Sequence, residues 1–229
     1  EGFMAKSQWM QLSVHPGDSD DKDEITGADS DDAPQEGESY WYYFESDGTP
    51  AYLKTTASSM SAATTKVSGE SYFFDQYGVM RTGLVKITHG STEMVGYFNS
   101  GDGKMRTGKQ SGIYDDDGEK HTFYFATSGS GKGAGYTGEK DGYLYYNGLL
   151  VEADDGTDYQ AFEVDGDIYL VNESGKVQTG SKAYKSDGTY TYRISGGTLY
   201  YTDDDGDAED AVSSGESLPG FSCNYEYEL

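Results

Sequence analysis

The 229-residue sequence predicts an all-β fold built by stacking β-hairpin repeats, with no substantial helix. Three observations predict it. A tyrosine is followed six residues on by a turn glycine at Tyr42/Gly48, Tyr72/Gly78, Tyr97/Gly103, Tyr169/Gly175 and Tyr200/Gly206. Three of these units continue to a Thr-Gly pair, at Thr82-Gly83, Thr107-Gly108 and Thr179-Gly180. Finally, short aromatic runs of strand composition alternate with turn signals along nearly the whole chain.

The aromatic strands come first in each unit: WYYF (41–44), YFF (72–74), YF (97–98), FYF (123–125), YLYY (143–146), IYLV (168–171) and LYY (199–201). From Tyr42 through Tyr72, Tyr97, Tyr124, Tyr145 and Tyr169 to Tyr200 the steps are 30, 25, 27, 21, 24 and 31 residues, a period of about 26. Turns follow at Asp47-Gly48, Asp102-Gly103, Ser174-Gly175 and Asp205-Gly206, where hairpin twist calls for positive φ. Two units vary the scheme: the Tyr124 unit carries SGSGKGAG before Thr137-Gly138, and the Tyr145 unit closes through Asn147-Gly148 without a Thr-Gly. The connectors read as further hairpins, turning at His89-Gly90 and Asp117-Gly118. Residues 56–66 have the composition for a helical turn or two at most.

The array spans residues 1–212, and residues 213–229, which lack the repeat, read as a C-terminal cap or tail. Residues 14–39 hold ten acidic residues against one Lys and are expected to be a solvated, flexible insertion, because strand-like WMQLSV precedes them and YWYYF follows. The opening EGFMAKSQW reads as the tail of another repeat, as expected for a piece of a longer protein with a signal or a catalytic domain upstream.

Composition narrows the function classes. Leu, Ile, Val and Phe number 34, about 15% of the chain, which with a net charge of -25 would suggest disorder were it not for 22 tyrosines in periodic clusters. The hydrophobic payload is therefore carried by rings. Only 16 basic residues are spread along the chain, so neither nucleic acid nor anionic lipid is an expected partner, and no apolar run is long enough for membrane insertion. Cys223, the only cysteine, precludes an internal disulfide and reads as an inert thiol.

The units WYYFESDG, YFFDQYGVMRTG and YFNSGDGKMRTG resemble the cell-wall-binding repeats of Gram-positive surface proteins, a group that includes choline-binding modules and the glucan-binding repeats of glucosyltransferases and clostridial toxins. The resemblance covers the chain from Glu1 to about Asp210. It implies a β-hairpin solenoid, secreted or at the cell surface, that is non-catalytic and binds a polysaccharide or cell-wall polymer. In choline-binding members the Trp after Thr-Gly joins the aromatic triplet in a cage for a quaternary ammonium. Carried across, the one Trp in that place is Trp9, displaced by one residue, with Trp41 and Tyr43 as its partners. Elsewhere Leu84, Lys109, Glu139 and Ser181 stand at the Trp position. Sugar stacking, which needs only a flat ring, then becomes the better expectation than a choline cage.

Trp9, Trp41 and Tyr43 lead the candidate ligand-binding residues, followed by Tyr72, Phe73, Tyr97, Tyr145, Tyr146 and Tyr201. Because strand side chains alternate between faces, one set of rings must also build the core. A structural or protein-binding module, an adhesion surface or spacer meeting a host or bacterial surface protein, is the competing class. No catalytic, metal or cofactor site is expected: His15, His89 and His121 share no ligand spacing, and the acidic turns ending at Gly118 and Gly206 fail the EF-hand loop, with Ile113 or Tyr201 at its first position and Tyr124 or Val212 at its last. Calcium at those turns stays open as a non-EF alternative.

Overall fold

A computed structural model describes residues 4–13, 38–54, 57–89, 92–114, 118–186, 190–202, 209–215 and 221–222. The insertion at 14–37, the acidic triplets at 115–117 and 203–205, His15, Gly206 and Cys223 lie outside the described residues. The chain is nearly all β, with a single four-residue helix among the described residues, and it divides into two units: Glu1–Gly108 with Ala126–Ala134, and Lys109–Phe125 with Gly135–Leu229.

In the first unit β1 (Gln8–Ser13) pairs antiparallel with β2 (Ser39–Phe44), from Gln8↔Phe44 to Ser13↔Ser39. Ser39, the last residue of the acidic span predicted at 14–39, therefore opens a strand. The helix α1 (Met60–Ala63) is capped by Ser59, whose hydroxyl accepts from the Ala62 amide, and it buries Met60 and Ala63. Next come β3 (Thr64–Val67), β4 (Glu70–Phe74) and β5 (Met80–Arg81) in one sheet, then the hairpin of β6 (Gly83–His89) and β7 (Thr92–Phe98). Its register runs from Gly83↔Phe98 to His89↔Thr92, and Gly90 of the turn expected at His89-Gly90 lies outside the described residues.

Period-two alternation sorts the rings of β4 onto two cores. Phe73 joins Met60, Ile87, Met94 and Phe98 on one face, while Tyr72 and Phe74 join Ala51 and Val67 on the other. Both faces of this strand are covered, and its central residues are correspondingly continuous in apolar character.

The second unit repeats these devices. One sheet runs β10 (Gly138–Lys140), β11 (Tyr143–Tyr146), β12 (Leu149–Leu150), β9 (Lys120–Phe125), β8 (Gly108–Tyr114). A second pairs β13 (Tyr159–Val164) with β14 (Asp167–Asn172), and a third runs β15 (Ala183–Ser186), β16 (Tyr190–Ser195), β17 (Thr198–Thr202), β18 (Asp210–Ala211). From the C-terminal segment, β19 (Phe221–Ser222) returns to pair in parallel with Ala161 and Phe162 of β13. Tight turns at Asp141-Gly142, Asn147-Gly148, Asp165-Gly166 and Gly196-Gly197 have positive φ at both residues, the geometry that matches strand twist in two-residue hairpins.

At three repeat turns the glycine six residues after the anchor Tyr has a packing reason as well as a conformational one. At Gly103, φ is +68° and a Cβ would lie 2.5 Å from the Met80 sulfur of the preceding unit. Met4 meets Gly48 and Leu150 meets Gly175 in the same way. A Met or Leu side chain against the turn glycine is thus a contact by which one hairpin seats on the next. A polar side chain just before the turn ties it down: the Asp75 carboxylate accepts from the Tyr77 and Val79 amides at 2.8 and 2.9 Å and from Arg81 Nε at 2.6 Å.

Candidate aromatic binding site

Antiparallel pairing places Trp9 directly opposite Tyr43 and Gln11 directly opposite Trp41, so all four side chains share one face of the β1–β2 hairpin. Tyr72 and Phe74 of β4 meet that face. The Trp9 ring lies 5.2 Å from Tyr43, 4.9 Å edge-on from Tyr72 and 5.7 Å from Phe74, centroid to centroid. Each such pair contributes about 0.5–1.5 kcal/mol beyond area burial. Rings at these separations touch one another, so no gap for a quaternary ammonium lies between Trp9, Tyr43 and Tyr72. Trp41 is different: it sits one step further along the same face and is 44% exposed.

The remaining candidates divide by burial. Phe73 (4% exposed) packs on Phe98 at 5.7 Å, and Tyr145 is 2% exposed. Tyr97 on β7, opposite Leu84, is half-buried. Tyr146 and Tyr201 are half-buried and rest against the Leu144/Val171 and Leu199/Tyr192 cores respectively.

The second unit holds ring features that the repeat pattern does not single out. Tyr136, just before Thr137-Gly138, meets Tyr124 edge-on at 5.9 Å, and Tyr124 meets Tyr145 at 5.6 Å. An aromatic immediately before Thr-Gly was the available signal. Lysines cover several tyrosine faces here: Lys109 Nζ lies 4.7 Å from the Tyr143 centroid and Lys140 Nζ lies 5.9 Å from that of Tyr124. Lys109 is one of the residues at the Trp position, so a cation sits where the pattern would put a ring.

The same unit contains a groove of about 400 Å³, within the range of small-ligand sites. Tyr169, Val177, Ile194, Glu139 and Ser181 are among the residues that line it. Burial, then Asp167 and Glu139, push the Tyr169 phenol above its ordinary pKa. Burial likewise raises Tyr145 and Tyr42. Among the described residues no group of three or more His, Cys, Asp or Glu is placed to hold a metal ion.

No family model matches the chain, and no curated protein sequence is significantly similar to it. Solved structures are. CbpJ from Streptococcus pneumoniae TIGR4 is 20% identical with a TM-score of 0.50, over 95% of this chain and 68% of that one. CbpF in complex with ipratropium is 22% identical with a TM-score of 0.44, over 90% and 48%. The modular autolysin LytC from Streptococcus pneumoniae is 19% identical with a TM-score of 0.39, over 93% and 40%. At 20% identity the likeness to CbpJ is one of fold. In fold, this chain is similar to CbpJ, and its repeat pattern resembles the cell-wall-binding repeats.

Proposed function

We propose that the chain is a non-catalytic binding module of a secreted or cell-surface protein, a solenoid of stacked hairpins that holds polysaccharide or cell-wall polymer by aromatic stacking. The observation that carries this reading is the ring-bearing face of β1–β2, where packed Trp9, Tyr43 and Tyr72 support an exposed Trp41. A pyranose presents a flat C–H face to such a ring, and weak contacts repeated along an array add through avidity. The CbpJ-like fold supports the reading. The ring-to-ring closure around Trp9 argues for sugar on Trp41 in preference to an ammonium inside the cluster.

That closure also favours a second reading, a spacer or protein-binding surface whose rings serve packing. Affinity electrophoresis in gels cast with α-glucan, β-glucan or Gram-positive cell-wall polymer separates the two. Retardation in any of them, with a shift in Trp emission, supports polysaccharide binding; its absence in all leaves the protein-binding reading.

A further inference from the structure

Glu139 and Ser181 both stand where the repeat pattern places a Trp after Thr-Gly, and both line the same groove in the second unit. Two ring positions have become a carboxylate and a hydroxyl. One aromatic ring remains, Tyr169, beside an aliphatic part of the lining: Ile168 and Ile194 are half-buried and Leu199 is buried. A quaternary ammonium has no N–H and is held by ring faces, so this groove lacks what such a ligand needs. A primary ammonium has three N–H donors and needs oxygen acceptors.

We propose that this groove binds a hexosamine carrying a free amino group, the ammonium against Glu139 and the pyranose C–H face against Tyr169 and the isoleucines. The proposal rests on the polysaccharide-binding reading and narrows its ligand at this site to a cationic amino sugar. Charge complementarity argues for it. Glu139 is the one charged residue among those lining the groove, Asp165 and Asp167 act on Tyr169 from nearby, and the chain carries -25 overall. A uronate or phosphate-bearing sugar would meet that field with the wrong sign. Acceptors for hydroxyls and N–H groups are among the lining residues: the exposed Thr179 and Ser195 hydroxyls, and the Gln178 side-chain oxygen, whose amide N–H donates to the Lys176 carbonyl at 2.7 Å. The field also disfavours the lone pair of a deprotonated amine relative to its cation.

Calorimetric titration of the full chain with two tetrasaccharides tests this: fully deacetylated chito-tetraose and its N-acetylated counterpart, which differ in charge on the same backbone. Glu139→Gln is compared with Glu45→Gln, an exposed acidic residue of the first unit, so that both variants lose the same net charge. The deacetylated sugar is expected to bind more tightly to the parent chain. Glu139→Gln should weaken it about two- to fivefold and leave the acetylated sugar unchanged, while Glu45→Gln should alter neither. Equal affinity for both sugars, equal losses in both variants, or no binding of either sugar overturns the proposal. The reading it rests on has a separate readout, because both tryptophans, Trp9 and Trp41, lie in the first unit. Polysaccharide retardation with a Trp shift but no tetrasaccharide binding overturns the groove alone; loss of both overturns the two together.

Discussion

Trp9 and Tyr43 stand directly opposite each other in the β1–β2 register, with their rings meeting at 5.2 Å and their planes inclined by 59°. The pairing fixes which face of the hairpin is aromatic, since a slip of one residue would turn the whole set over. It also makes Trp9 a packing residue and leaves Trp41, on the same face, as the ring with free surface.

Trp9→Ala should therefore cost about 1–3 kcal/mol of stability, from lost burial and ring contacts with Tyr43, Tyr72 and Phe74. Trp41→Ala should change stability by less than about 0.5 kcal/mol. Urea unfolding followed by tyrosine and far-UV signals checks both; comparable losses in the two variants would contradict the assignment.

Gly103→Ala combines a positive φ of +68° with a clash against the Met80 sulfur, and should destabilise by about 1–3 kcal/mol. Met80→Ala should relieve part of that clash, giving a double-mutant coupling of about 0.5–2 kcal/mol. Additive effects would mean that the Met-Gly contact does not seat one hairpin on the next.

Phe98 is fully buried against Phe73, Met60 and Ile87. Phe98→Ala should cost about 3–5 kcal/mol, the range for a large core ring. Thermal unfolding by calorimetry reads it, and a loss below about 1 kcal/mol would contradict a packed core at this face.

Tyr42, Tyr145 and Tyr169 all ionise above their ordinary value of 10.0, in each case chiefly because burial penalises the phenolate. The folded state then holds these protons more tightly than the unfolded chain. Stability is unaffected by them below about pH 10 and falls as pH rises above it towards their folded-state values. Tyr145→Phe should make that alkaline loss shallower, as read by melting temperature against pH alongside phenolate absorbance. An unchanged slope would contradict the burial of its hydroxyl.

Hairpin placement was legible in the sequence because its signals are local: aromatic strand runs, Asp-Gly and Asn-Gly turns, and alternation that puts Trp41 and Tyr43 on one face. The ring partners of Trp9 were legible only where they lay within the hairpin. Tyr72 comes from the next sheet and Phe74 with it, a contact set by stacking that no short-range pattern encodes. Tyr136 was hidden because its unit replaces the usual turn. The parallel pairing of β19 with β13 links residues far apart in sequence, and two short residues carry no strand pattern of their own. The groove at Tyr169 was hidden for the opposite reason: its Glu139 and Ser181 read as losses of a ring, and their meeting in one cleft depends on how two hairpins pack.

If the exposed Trp41 ring on its packed aromatic face holds polysaccharide, the retardation of Trp41→Ala in polysaccharide gels reads it out. In a gel that retards the parent chain the variant should be retarded less, with the melting profile unchanged. Undiminished retardation of a stably folded variant would contradict it.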